Sequence, residues 1–323
     1  MILNGLNMNK NHTLNIFLLS ISSSFLLLII ERYFNINEYY HPDVNTYLDI
    51  NSIIVESWYY NYIGLFGNIY YLVVFLLNSN LYFLIFINIL LFSLTNVILF
   101  NHLYKYTFLS KTKLIILILF ILNPYRIHLS IHVLKDTMLL LFMLLAVLNF
   151  NYSKKIINIV FVFFISARVI FYLPMFFNYK NKINIIFMIV IYAALFKFTS
   201  FSDWVYNISI TDMKLRDYDL IPNFISYDHL GVFYRSVVWP LLLLSGGFIF
   251  FSKSLLFIPL FFGQIVNLLL IKVFFGLKMI PLNAIITIIF FSIIISGFTS
   301  YFRYCTPIFT LIPILITINI KKV

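Results

Sequence analysis

The run 62–100 contains no aspartate, glutamate, lysine or arginine, and at about 20 apolar residues per crossing it is long enough for two membrane spans. A water-soluble helix of that length would carry a charged or polar stripe along one face. Composition decides the same way for the whole chain. It is 62% hydrophobic and 10% charged with a mean hydropathy of +0.98, where ordinary globular domains are about 25% charged. The 323 residues are therefore those of a polytopic membrane protein. Its one cysteine excludes an intrachain disulfide framework and any cysteine-based zinc or iron–sulfur site.

A net charge of +11 would suit a nucleic-acid binder, but the positions of the charges assign it to topology instead. Lysines cluster at Lys10, at Lys105, Lys111 and Lys113, at Lys154 and Lys155, at Lys180 and Lys182, at Lys253, Lys272 and Lys278, and at Lys321 and Lys322. Acids occupy three other places: 31–56, Asp136 and 203–228. Basic residues are retained on the cytoplasmic side, so the lysine clusters are expected inside and the acid-rich segments outside. The six arginines do not follow the lysines; they lie beside the acids or within apolar stretches.

This pattern predicts an all-α fold of about 9–11 transmembrane helices, a single transmembrane domain over 1–323 with outer loops at about 31–61 and 201–234. The first span is 13–30, an uncleaved anchor with no cleavage signature after it. Two full spans in 62–100 would put the Lys105–Lys113 cluster outside. The expectation is therefore a partly inserted helix at 62–78, a break at Asn78-Ser79-Asn80, and one full span at 81–100. Residues 114–133 rise and 136–152 return. The stretch 156–179, lysine-flanked and with Arg168 near its middle, reads as two half-helices meeting at the outer side. Residues 183–200 go out and 236–252 come back, 255–275 is again lysine-flanked, and 281–298 rises and 305–320 descends, with both termini cytoplasmic.

An ionisable side chain at membrane depth costs about 2.5–3.5 kcal/mol, which makes each one a functional candidate. The densest group runs from Asn123-Pro124-Tyr125-Arg126 through His128 and His132 to Lys135-Asp136. If 126–137 is one helix, His128, His132 and Asp136 recur every four residues on one face with Lys135 beside them, just after a break imposed by Pro124. Two histidines four apart can ligate a metal, but no HExxH accompanies them, so the metal is left unknown and a divalent cation open. The competing reading is an interfacial helix end in which Lys135 neutralises Asp136.

A second group, His41-Pro42-Asp43 with Tyr47 and Asp49, lies in the first outer loop. Its carboxylates suit a base, a cation site or hydrogen bonds to sugar hydroxyls; a solvated Asx turn is the plain alternative. The third group, Tyr301 to Pro307, places Arg303 and Tyr304 at the outer mouth of the last span. Arginine's planar fork suits phosphate oxygens, so Arg126, Arg168, Arg235 and Arg303 together suggest a lipid-linked phosphate site, against arginines that merely snorkel to headgroups. The loop 201–235, with Asp203, Trp204, Tyr218 and Asp219, has a composition compatible with sugar binding.

In layout and in Pro42-Asp43…Tyr47-Leu48, Asn123-Pro124, Lys135-Asp136 and Arg303-Tyr304…Pro307, the chain resembles GT-C-type glycosyltransferases and the related bacterial O-antigen or repeat-unit polymerases. The resemblance implies a polyprenyl-(pyro)phosphate-linked glycan as partner, the bacterial inner membrane as location, an active site on the outer, periplasmic side, and a chain-length regulator or other polysaccharide-assembly protein as a further partner. It makes Asp43 the base or acceptor-orienting acid, with Asp49 and Asp136 as further catalytic candidates. Arg126, Arg168, Arg235, Arg303 and Lys135 would hold the donor phosphate, and His41, Tyr47, His128, His132 and Tyr304 would contact substrate. No cofactor and no nucleic acid is expected beyond the open question of a divalent cation. A lipid-linked oligosaccharide flippase is the alternative from another class; it would need charges at the bilayer midplane rather than at one rim, and inverted repeats, of which the sequence has none.

Overall fold

The computed structural model of the protein describes residues 10–34, 68–106, 110–149, 151–166, 169–176, 229–245, 257–295 and 298–320, and the account below is of these. Every regular element among them is a helix. In chain order these are α1 (Lys10–Tyr33), α2 (Asn68–Leu76), α3 (Leu81–Tyr106), α4 (Lys111–Ile121), α5 (Pro124–Ser130), α6 (Asp136–Leu148), α7 (Tyr152–Ile165), α8 (Val169–Phe176), α9 (His229–Ser245), α10 (Phe257–Phe274), α11 (Leu282–Ile294) and α12 (Phe298–Ile320). A 3₁₀ turn, Leu277–Met279, joins α10 to α11.

Four segments are long and apolar enough to cross a bilayer: Asn11–Tyr33, Leu81–Lys105, Lys111–Ser130 and Tyr301–Asn319. Helices are what such a chain must form, because lipid offers no partner to an unpaired backbone group. The four are buried unequally. Protein covers 94% of the apolar window of α12 but only 17% of that of α1, so α12 is central and α1 peripheral. In α1 the buried residues are Ile16, Ser20, Ser24 and Glu31, a narrow inward stripe, while Leu18, Leu26 and Ile29 face out. On α10, Ile258, Phe262, Ile265, Leu269 and Val273 form an exposed apolar stripe at helical spacing, the surface a helix presents to lipid.

The boundaries have local causes. Asn78 and Ser79 take left-handed backbone angles, φ 53° and 52°, and Ser79 N donates to Val74 O at 3.0 Å, closing α2 from beyond its end. Asn80 Oδ1 then accepts from the amides of Tyr82 and Phe83 at 3.1 and 3.2 Å and caps α3. The expected break at 78–80 is therefore present. The described part of α2 before it is Asn68–Leu76; the rest of the expected partly inserted helix, from residue 62, lies outside the described residues. Within the stretch expected to form two half-helices, α7 is capped at Ser166 and α8 covers Val169–Phe176. Lys155 Nζ donates to Phe176 O, so the second half returns to the start of the first.

Contacts between sequence-distant residues fix the direction of the helices. The start of α1, the end of α3 and the end of α12 meet, through the His12 and Tyr104 rings with centroids 6.3 Å apart and through His102 Nε2 and Thr317 Oγ1 at 2.9 Å. Lys113 Nζ sits 5.7 Å from the ring of Phe274, adding the start of α4 and the end of α10 to this end. Lys105, Lys111, Lys113 and Lys272 belong to it. At the opposite end lie the last turn of α1, all of α5 and the starts of α6 and α12.

Three boundaries differ from expectation. The first helix continues past residue 30 to Tyr33, so Glu31 is a buried helical residue and not the start of a loop. The last helix begins at Phe298, so Arg303 and Tyr304 lie inside it and not at its mouth. Residues 126–137 are not one helix: α5 stops at Ser130 and Asp136 opens α6. The count of 9–11 crossings and the spans at 183–200 and most of 201–234 lie outside the described residues.

Candidate functional site

The site end is built on α5 and the turn that follows it. Asn123 caps α5 by accepting from Tyr125 N and Arg126 N at 3.1 and 3.2 Å, and Pro124 occupies the first helical position, where no amide hydrogen is needed. The same Asn123 donates through Nδ2 to Gly263 O and Asn267 Oδ1 at 2.8 and 3.0 Å, tying α5 to α10. After Ser130 the chain leaves helical geometry because a side chain from α3 takes its carbonyls. Asn88 Nδ2 donates to His132 O at 2.7 Å and to Leu134 O at 3.1 Å.

Two buried ionic groups result. In one, Glu31 from the last turn of α1 lies between the two histidines: His128 Nδ1 is 2.5 Å from Oε1 and His132 Nε2 is 2.9 Å from Oε2. Residual exposure is 6% for Glu31, 1% for His128 and 7% for His132. The imidazole centroids are 4.6 Å apart, and His128 stacks on Tyr125 at 6.0 Å. In the other, Arg303 of α12 donates from Nε and Nη2 to Asp136 Oδ2 at 3.0 and 2.6 Å, and both side chains are buried. The expected single face of His128, His132 and Asp136 is therefore divided: both histidines pair with Glu31 and Asp136 pairs with Arg303.

Arg126, on α5 like His128, is also buried and lines a cavity together with Asp136. Its Nη2 donates to Phe120 O and, at 3.2 Å, to Ile121 O, and its Cζ lies 5.0 Å from the centre of the Phe120 ring. It thus satisfies carbonyls left open at the end of α4. Its Nε and Nη1 have no hydrogen-bond partner among the described residues. A cavity of about 20 Å³, lined by Arg126, Asp136, Thr95, Thr137, Thr306 and apolar neighbours, lies beside it; that is room for one water-sized group.

Of the other expected residues, Lys135 precedes α6 and is half-buried. Tyr304 is buried, its carbonyl accepting from Tyr172 Oη at 2.7 Å and its ring 5.9 Å from that of Phe291. Arg235 falls within α9, its side chain outside the described set. His41, Asp43, Tyr47, Asp49 and Arg168 lie outside the described residues. Glu31 is the site residue that sequence reasoning missed. A readable signal existed, since Ser20, Ser24 and Glu31 fall on one face of α1 at helical spacing.

Comparison with protein-family models, with curated proteins and with solved structures returns no match. Among the described residues the chain is an all-helical protein with four apolar helices of membrane-crossing length.

Proposed function

We propose that the chain is an integral-membrane glycosyltransferase that uses a polyprenyl-phosphate or polyprenyl-pyrophosphate donor, working as a repeat-unit polymerase in cell-surface polysaccharide synthesis. The observation that carries this reading is the cavity beside Arg126, where a buried guanidinium with two nitrogens lacking a hydrogen-bond partner among the described residues lines the same space as Asp136 and three threonines. Preorganised donors of this kind stabilise a phosphate as leaving-group charge develops on it. In the resting arrangement Asp136 holds Arg303; the donor phosphate competes for that guanidinium, and the cavity widens as the pair parts. An acceptor hydroxyl attacks the anomeric carbon and the bond to the phosphate oxygen breaks with its electrons. The hydroxyl proton passes to Asp43, with Asp49 as the second candidate.

A further observation favours transfer over transport. The buried ionic groups gather at one end of the helices, opposite Lys105, Lys111 and Lys113, whereas a transporter holds its charges near the midplane. With the lysine end cytoplasmic, the site faces the outer side of a bacterial inner membrane.

The test is complementation of a gene deletion, read on a polysaccharide gel and in the extracted pool of lipid-linked glycan. Loss of the ladder with build-up of lipid-linked precursor is expected on deletion. Wild type restores the ladder; Asp43→Asn and Arg303→Ala do not, although both still insert. Wild-type ladders from both variants overturn the assignment.

A further inference from the structure

The two histidines and the glutamate at the end of α1 do not need a sugar or a phosphate to explain them. One ligand atom from each of Glu31, His128 and His132 can be chosen so that all three lie within 4.8 Å of one another. They come from three separately anchored pieces of backbone: the last turn of α1, the helix α5, and the turn held by Asn88. The Ser24 and Ser130 hydroxyl oxygens, 3.4 Å apart, mark how closely α1 and α5 approach about two turns of α1 before Glu31.

We propose that Glu31, His128 and His132 form a binding site for a divalent transition metal, Zn²⁺ by the chemistry of the donors. Around a tetrahedral zinc with bonds of about 2.0–2.1 Å, neighbouring ligand atoms stand roughly 3.4 Å apart. The histidine–glutamate contacts, at 2.5 and 2.9 Å, run to the two different carboxylate oxygens, and with one ligand atom from each residue within 4.8 Å of the others the set lies within about 1.5 Å of that spacing. That is a side-chain adjustment with the helices in place. Two imidazoles and one carboxylate suit zinc or ferrous iron, while calcium and magnesium prefer all-oxygen sets. Three protein ligands leave a fourth position for water, the pattern of open zinc sites.

Charge favours occupancy as well. The carboxylate is buried near the end of a lipid-exposed helix, and its ion-pair partners among the described residues are the two imidazoles. Burying an ionised carboxylate is costly unless it is paired or ligates a metal. Asn88 fixes the backbone of the His132 turn and Tyr125 stacks on the His128 ring, so both imidazoles are held in place to receive an ion.

The full chain, purified in detergent and stripped with a chelator, is titrated with Zn²⁺ alone and, separately, with Co²⁺ alone. One Zn²⁺ per chain is expected, with visible Co²⁺ absorption of tetrahedral intensity. His132→Ala should weaken binding by at least about 100-fold, since loss of second-sphere partners alone costs about 10–100-fold. Glu31→Gln keeps the side-chain shape and should elute as wild type yet bind Zn²⁺ weakly. His102→Ala, at the other end of the molecule, should bind like wild type. If wild type binds no more Zn²⁺ than a His128→Ala/His132→Ala double variant, or Glu31→Gln binds as tightly as wild type, the site is a hydrogen-bonded triad and the proposal falls. Because the readout is ion content and spectrum, its failure is separable from failure of the glycosyl-transfer reading.

Discussion

Arg303 places two guanidinium nitrogens on a single oxygen of Asp136, Nε at 3.0 Å and Nη2 at 2.6 Å, joining the first turns of α12 to the first residue of α6 across 167 positions of sequence. Both groups are buried, so each is the other's compensation. Removing one partner of a buried pair leaves an uncompensated charge at a cost of about 3–5 kcal/mol, while replacing both with apolar groups is often neutral.

Arg303→Met alone should therefore lower the thermal midpoint in detergent sharply, and Asp136→Leu alone should do the same. The Asp136→Leu/Arg303→Met double variant should recover most of the loss. Midpoints followed by size-exclusion fluorescence measure all three. A double variant whose loss equals the sum of the two single losses would show that the pair contributes nothing beyond its separate parts.

Asn88 is a second structural pivot. Its amide donates to two carbonyls of the turn, His132 O and Leu134 O. Asn88→Leu removes the Asn88 donor from Leu134 O, about 1–3 kcal/mol for an unsatisfied buried group, while His132 O keeps only the amide of Leu134 at 2.9 Å. The expected result is a lowered midpoint together with weaker Zn²⁺ binding, because His132 loses its backbone anchor. A variant with wild-type metal affinity would separate the turn from the ligand geometry.

Gly263 tests the contact between α10 and α5. A Cβ there would stand 2.7 Å from Asn123 Oδ1 and 2.9 Å from Tyr125 Cβ, closer than side chains tolerate. Gly263→Ala should thus destabilise the fold by about 1–3 kcal/mol, the usual cost of overpacking, although alanine is the better helix former. Asn123→Ala should cost about 0.5–2 kcal/mol through the lost cap and should also relieve part of the Gly263→Ala clash. A double-mutant cycle on the two positions measures that coupling.

Arg126 separates charge from shape. Arg126→Lys retains a cation but loses the planar fork that serves the α4 carbonyls and the cavity together. If the donor phosphate is held there, precursor turnover in isolated membranes should fall by at least about tenfold, a loss of one good hydrogen bond to a charged group. Steady-state protein level should fall much less. A matched fall in both would make Arg126 a structural residue only.

The sequence displays the break at 78–80 because asparagine both tolerates the left-handed turn and caps the next helix, and it displays the break at Pro124 because proline has no amide hydrogen. It hides the break after Ser130. Nothing in Ile131–Lys135 forbids a helix; the helix is lost because Asn88, more than forty residues earlier, competes for the carbonyls of His132 and Leu134. The four-residue spacing of His128, His132 and Asp136 therefore suggests one face, while the structure gives His132 to Glu31 and Asp136 to Arg303. Glu31 was obscured by the end of the apolar run at Ile30, since a window of hydropathy stops where a helix need not.

The orientation of the helices can be settled with the chain's own cysteine out of the way. Cys305 is buried within α12, so a Cys305→Ala background should insert normally and carry no thiol. Asn80 and Lys111 are exposed at the two ends of α3 and its successor α4. With lysine clusters held in the cytoplasm, Asn80→Cys in intact cells should react with a membrane-impermeant maleimide and Lys111→Cys should react only after permeabilisation. The reverse pattern would place the Arg126 cavity and the Glu31 triad on the cytoplasmic side. A donor presented at the outer face could not reach them there, and glycosyl transfer at that face would have to be abandoned whatever the metal content proved to be.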